Sequence, residues 1–283
     1  MSFLTTTYTL SNNVRIPKIG FGTWQVANGD EAYNSVKTAL EAGYIHIDTA
    51  AAYENEESVG KAIKDSGINR DSLFITTKLA NPCHGYEKTH EAFAQSLKAL
   101  NLDYIDLYLI HWPNPLAFRD CWQEANAGTW KAFEELYTQG KIRALGVSNF
   151  RQHHIEALLQ TAKIAPMVNQ IKFCPGEIQK EVTDYCKNLS MVMEAYSPFG
   201  SGLAFKVPEI QEIAKKYNKT VAQLLVRWCL QQDFIPLPKS ITKERIIDNT
   251  KVDDFSLSSE DILRLNSLTG TCGSARNPDE APF

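Results

Sequence analysis

No stretch of this 283-residue chain approaches the ~20 consecutive apolar residues that carry a helix across a bilayer, so no membrane partner is expected. The opening MSFLTTTYTLSNN lacks the basic start and apolar centre of a secretory signal, and a cytoplasmic location is expected. The net charge of −4 gives no reason to expect nucleic acid as a partner. None of the six cysteines (Cys83, Cys121, Cys174, Cys186, Cys229 and Cys272) belongs to a CxxC pair, and a chain of this length needs no staples, so reduced thiols are expected. No linker rich in Gly, Pro or Ser divides the sequence, which reads as one domain over residues 1–283. Two nucleotide signatures are missing as well. Gly20-Phe-Gly22-Thr-Trp-Gln lacks the third glycine of a Rossmann fingerprint, and Pro238-Lys239-Ser240 lacks the upstream glycines of a P-loop.

What is present is an alternation. At 43% hydrophobic and 22% charged residues, the composition is that of a globular protein able to bury a large core. A Thr/Tyr run, the turn Ser11-Asn12-Asn13 and a return predict a hairpin over 5–16. Strands are then predicted over 18–24, 44–49, 73–79, 104–111, 144–147, 167–173, 192–196 and 234–238. Helices are predicted over 30–41, 55–65, 89–99, 129–138, 151–162, 178–187, 208–217, 220–231, 242–249 and 260–268, with Gly43, Gly67 and Gly140 as stops. A long loop is expected over 113–128. Eight strand–helix units predict an α/β fold, a TIM (β/α)8 barrel whose N-terminal β-hairpin closes the bottom.

Three successive strand-like runs end in groups capable of acid–base chemistry: YIHID at Asp48, with Tyr53 five residues on; LFITTK at Lys78; and YIDLYLIH at His111. In a parallel barrel the C-terminal strand ends share one rim, where barrel enzymes place their chemistry. A carboxylate, a phenol, an ammonium and an imidazole would meet there. A second group of polar residues, Lys239, Ser240, Thr242 and Arg245, follows the last strand at a helix start, the phosphate-binding corner of many TIM barrels.

GFGTW (20–24), HIDTAAAYENEESVG (46–60), TTKL (76–79), DLYLIHWP (106–113), GVSNF (146–150), VNQI (168–171), EAYSPFGSG (194–202) and PKS…R…N (238–249) closely resemble the aldo-keto reductases, in order and over residues 10–270. The resemblance is to the small prokaryotic and protist branch that includes 2,5-diketo-gluconate reductase-like and prostaglandin F synthase-like enzymes. It implies a TIM barrel that reduces aldehydes and ketones to alcohols with NADPH, often as a monomer, with a small carbonyl compound as partner. Tyr53 would be the proton donor, Lys78 would lower the phenol pKa from its ordinary ~10, Asp48 would hold Lys78, and His111 would orient the carbonyl. Ser148, Asn149 and Gln170 would bind the nicotinamide carboxamide, and Tyr196 would stack on its ring. Gly22, Thr23, Trp24 and Asp48 would also bind the cofactor. Ser197, Phe199 and Ser201 would approach the pyrophosphate and ribose. Lys239, Ser240, Ile241, Thr242 and Arg245 would hold the 2′-phosphate, with Asp248 and Asn249 at the adenine. The substrate pocket would draw on Trp24, Tyr53, Ala80, His111, Trp112, Phe118 and Trp122.

Several departures qualify this picture. Ala80 stands where the family usually has tryptophan, which would widen that wall of the pocket, and Phe173-Cys174-Pro175 replaces Leu-His-Pro; the loop 199–207 is short, which would weaken closure over the cofactor, and the tail GTCGSARNPDEAPF is short, which would leave the pocket open. Other readings stand beside it. Asp48–Lys78 alone suits an ordinary ion pair, Tyr53 and the loop aromatics suit packing, and His153-His154 suits a solvated or capping pair. His46 and Asp48 face the same side of a strand and, with His111, suit a metal-dependent hydrolase, although no metal is expected. An NADPH-binding redox sensor with little turnover is the other alternative.

Overall fold

The computed structural model describes residues 2–283. A short hairpin, β1 (Thr7–Thr9) and β2 (Arg15–Pro17), comes first. The barrel follows as β3 (Phe21–Gly22), α1 (Asp30–Glu41), β4 (His46–Asp48), α2 (Glu56–Asp65), β5 (Phe74–Leu79), α3 (Tyr86–Leu100), β6 (Ile105–Ile110), α4 (Trp122–Thr138), β7 (Ile142–Ser148) and α5 (Gln152–Leu159). It continues through β8 (Val168–Lys172), α6 (Lys180–Asn188), β9 (Val192–Tyr196), α7 (Pro208–Lys216), α8 (Val221–Gln231), β10 (Phe234–Pro236), α9 (Lys243–Asp248) and α10 (Ser259–Asn266). Strands β3 to β10 pair in parallel in chain order. The amides of Gly20 and Gly22 donate to the carbonyls of Pro236 and Pro238, both at 3.1 Å, which joins the first barrel strand to the last and closes the ring.

The period-2 alternation of each strand separates two cores. Outward residues such as Tyr108, Ile110, Val147 and Phe173 pack under the helices with Trp130, Phe133 and Trp228. Inward residues of the strands (Phe74, Leu107, Leu109, Ala144, Val168, Ile235) form an apolar plug with Leu10 and Ile16 of the hairpin. The hairpin therefore closes the bottom as expected, and Asn12 pins it there through Nδ2 to the Arg143 carbonyl at 2.8 Å. The register sets the upper layer: Gly22 lies beside Asp48, and Ser148, Gln170 and Glu194 lie side by side across β7, β8 and β9.

Most strand and helix boundaries lie close to the expected ones, with a few clear exceptions. The long loop expected over 113–128 is shorter and ends at Cys121, with a 3-10 turn over Leu116–Cys121. Helix α4 begins at Trp122, because Gly128 does not break the helix but lets it approach α3: a Cβ on Gly128 would stand 3.2 Å from the Tyr86 amide nitrogen. Helix α3 starts at Tyr86 after the Gly85 turn, and α9 is only six residues long. All six cysteines are free. Among the described residues no helix is long and apolar enough to cross a membrane.

Candidate active site on the barrel rim

Asp48 ends β4, Lys78 lies near the end of β5, His111 directly follows β6, and Tyr53 ends a 3-10 turn, Ala51–Tyr53, after β4. Adjacent parallel strands bring these four together. The Lys78 ammonium donates to Asp48 Oδ1 at 2.7 Å and to the Thr49 carbonyl at 2.8 Å, and it stands 4.9 Å from the centre of the Tyr53 ring. The rings of Tyr53 and His111 meet edge to face at 5.7 Å. Buried Asn55 braces the turn that carries Tyr53. Its Nδ2 donates to the carbonyls of Thr23 and Val26, both at 3.0 Å, and its Oδ1 accepts from Thr49 Oγ1 at 2.9 Å. The loops after β3 and β4 thus form one unit.

The electrostatics correct one expectation. Burial raises the Tyr53 phenol pKa and outweighs the lowering by Lys78, while Asp48 adds to the rise. The net effect is a phenol that keeps its proton. Burial alone would lower the Lys78 ammonium, but Asp48 and Tyr53 outweigh it and the ammonium is held above its ordinary value. His111 is pushed down to about 3 by burial, Lys78 and His84, so its imidazole is neutral.

Gln170, Ser148, Asn149 and Tyr196 form one hydrogen-bonded chain between Asp48 and His111. Gln170 Nε2 donates to Asp48 Oδ2 at 2.8 Å. Ser148 Oγ donates to the Gln170 carbonyl at 2.9 Å, Asn149 Nδ2 donates to Ser148 Oγ at 3.1 Å and to the His111 carbonyl at 2.9 Å, and Tyr196 Oη donates to Asn149 Oδ1 at 2.8 Å. Asn149, Ser197 and Ser201 all hold left-handed backbone, with φ of 64°, 49° and 53°. For non-glycine residues such a conformation costs on the order of 1–3 kcal/mol, and it concentrates where structure serves function. Gly22 sits under the β10 connection, and Thr23 Oγ1 donates to the Asp48 carbonyl at 3.0 Å. Trp24 is exposed beside them, and Phe199 meets Phe205 edge to face.

At the corner after β10, Ser240 Oγ accepts from the Thr242 amide at 3.1 Å, while Ile241 and Arg245 are exposed. Among the described residues neither Lys239 nor Arg245 has a carboxylate within ion-pair reach. Asp248 is taken by Lys251 at 2.8 Å, and Asn249 is buried.

The pocket wall differs from the sequence reading. The tail does not leave the rim open. The Leu116 amide donates to the Phe283 carbonyl at 2.9 Å, an Arg119 guanidinium nitrogen donates to the Ala281 carbonyl at 2.6 Å, and Trp112 meets Phe283 edge to face at 5.0 Å. Asp279 is the fastening: it accepts from Asn114 Nδ2 at 3.0 Å and lies 2.9 Å from His154 Nε2. His154 is fully buried rather than solvated, and its Nδ1 accepts from the Arg151 amide, which leaves the ring proton on Nε2 for Asp279. Trp122 packs against this histidine at 4.9 Å and Phe118 stacks on buried His84 at 5.6 Å, so both rings brace the wall; Ala80 is half-buried after β5.

Among the described residues, His46, Asp48 and His111 do not share a metal-ligating cluster. Asp48 is spent on Lys78, and His46 Nε2 lies below, 3.0 Å from Thr76 Oγ1. Three contributors escaped the sequence reading: His84, Glu194 and the tail. Glu194 had a usable signal, since it precedes Tyr196 by two residues on a strand and so faces the same way. Asp279 and Phe283 had none, because their partners are more than a hundred residues away.

The aldo/keto reductase family model matches residues 18–269. The chain belongs to the aldo/keto reductase family. It is 49% identical to glyoxal reductase of Bacillus subtilis over 277 residues, covering 98% of each chain. Among solved structures it is similar to MGS-M4, an aldo-keto reductase from a deep-sea metagenome of the Medee basin (TM-score 0.87, 47% identity, 93% of this chain and 95% of the other). It is also similar to the Bombyx mori aldo-keto reductase in complex with NADP (TM-score 0.84, 34% identity, 94% and 93% covered). This aldo/keto reductase is an enzyme of carbonyl reduction, and the closed barrel is that of its solved relatives.

Proposed function

We propose that the chain reduces small aldehydes and ketones with NADPH, with Tyr53 as the proton donor and glyoxal among its substrates. The observation that carries the reading is the contiguous Tyr53–Lys78–Asp48 set on the rim. The residues present fit the cofactor. Gln170 Oε1 has no protein donor among the described residues, and Lys239 and Arg245 are cations without carboxylate partners at the corner where the family match lies. The short α9 adds little there, so the two cations bear the argument for a 2′-phosphate. The relative from Bombyx mori is solved with NADP, and the relative from Bacillus subtilis supplies glyoxal.

Bound along this rim, NADPH supplies a hydride to the carbonyl carbon. The residues do the rest. Neutral His111 donates its one N–H to the carbonyl oxygen and orients it. Tyr53 keeps its proton until charge builds on that oxygen, then transfers it, leaving alcohol and phenolate. The Lys78 ammonium stabilises the phenolate, and Asp48 keeps Lys78 in place. Water returns the proton to Tyr53.

The test is consumption of NADPH by the purified, chelator-treated protein with glyoxal and an aromatic aldehyde, with NADH in parallel. Rapid loss specific to NADPH is expected. Tight NADPH binding with no turnover of any carbonyl would favour the sensor instead. Neither binding nor turnover would overturn both readings.

A further inference from the structure

We infer that Glu194 is a positioning residue that holds the Gln170 amide with its oxygen toward the nicotinamide side, and that it does so as a neutral carboxylic acid. The nicotinamide half of this inference rests on the reading of the rim as an NADPH site.

Glu194, Gln170 and Asp48 all point into the barrel and are almost without solvent, at 0%, 1% and 3% exposure. The Gln170 Nε2 has two protons. One goes to Asp48 Oδ2 and the other to Glu194 Oε2, each at 2.8 Å. This fixes the amide rotation, because the flipped amide would set its oxygen against the Asp48 carboxylate. With both N–H groups used below, only Oε1 is left to face the rim. It is an acceptor and therefore matches the N–H of a primary carboxamide.

The charges around Glu194 set its protonation. Asp48 and His46 face it from β4, Lys78 from β5, and Tyr196 follows on its own strand; β8 offers the Gln170 amide, its Lys172 lying one layer above with its ammonium turned to the Gly273 and Ser274 carbonyls, and β10 offers no titratable group at this level. The cation that acts on Glu194, Lys78, is bound to Asp48. His46 Nε2 is 3.7 Å from Glu194 Oε1, but burial and Lys78 hold that imidazole down at about 3, so it carries no charge. A second carboxylate in this space would have no counterion. Burial and the neighbouring Asp48 accordingly push the Glu194 carboxyl up to about 8.

Two measurements on the full-length protein test the inference. The first needs no cofactor: the infrared difference between wild type and Glu194→Gln. A protonated carboxyl band is expected in the wild type at pH 7, lost in Glu194→Gln and lost in the wild type well above pH 8. Its absence at pH 7 would overturn the neutral acid. The second compares binding of NADP+ with its 3-acetylpyridine analogue, whose methyl ketone has no N–H for Gln170 Oε1. The wild type should prefer NADP+. Glu194→Leu should cut that preference about threefold to tenfold, the worth of one hydrogen bond, while Glu194→Gln keeps it. An unchanged preference in Glu194→Leu, or an equal loss in Glu194→Gln, would overturn the positioning role. Should Glu194→Leu fail to fold, Glu194→Gln still decides, since loss of the preference there contradicts the inference. No binding of either dinucleotide by the wild type would instead remove the NADPH reading and the nicotinamide half with it, leaving the infrared result to stand alone.

Discussion

Asp48, Lys78 and Gln170 stand on barrel strands, whereas Trp112, Phe118, Asp279 and Phe283 stand on connections and the tail, with Trp122 beside them at the first residue of α4. The strand group is buried and joined by hydrogen bonds of 2.7–2.8 Å to charged partners. The connection group is held by ring edges and faces at 4.9–5.6 Å and by bonds between segments far apart in sequence, such as Asn114 with Asp279 and Leu116 with Phe283. Strands shared with seven neighbours cannot shift singly, so the first group has one geometry. Loops and tails belong to the less stable part of a fold. On the proposed function, the ring carries the reaction and the docking of the tail carries the choice of substrate.

The comparison breaks most sharply at Lys78. Lys78→Met leaves Asp48 buried without its cation, which costs on the order of 3–5 kcal/mol of stability, and turnover should fall about 10²–10⁴-fold with the loss of phenolate stabilisation. Denaturant unfolding and NADPH consumption check both, and a small loss in either would mean that the pair is an ordinary rim ion pair. At the other end of the cofactor, Arg245→Ala should weaken NADPH by about tenfold or more and NADH hardly at all. Equal weakening in a binding titration would remove the 2′-phosphate from that corner.

Acid should strike both groups together. His46 and His111 are held at about 3, and His84 and His154 at about 4, chiefly by burial, against an ordinary value near 6.5. Each stays neutral in the native state but takes a proton on unfolding below pH ~6.5, so its contribution is fully present above that value and is lost as pH falls toward 4 and 3. The Tm should drop steadily from pH 6.5 downward, and a flat Tm between pH 6.5 and 5 would contradict the buried neutral set. The smallest effect is expected at the fastening of the tail. Asp279→Ala should raise KM for bulky aldehydes about threefold while kcat for glyoxal stays within about twofold. A matching fall in kcat for both substrates would show that the tail also shapes the catalytic set.

Asp48 and Lys78 were legible in the sequence because each closes an apolar run, and the parallel alternation alone brings such ends together, whereas Gln170, inside its strand, was legible only through the family resemblance. Glu194 was passed over although the same alternation places it. The connection group was not legible. Trp122 reads as a loop aromatic until α4 is seen to start there, with Gly128 inside the helix against α3. Lowering of the Tyr53 pKa by Lys78 was a correct local argument that burial overturned, since desolvation depends on everything packed around the phenol and not on one neighbour.

The central claim is that Tyr53 delivers the proton. The direct test is Tyr53→Phe, measured twice: NADPH binding by fluorescence and single-turnover reduction of glyoxal by rapid mixing. Unchanged binding with reduction slowed about 10²–10⁴-fold is the predicted result. Reduction at the wild-type rate would contradict the account and move the proton donor to another group on the rim.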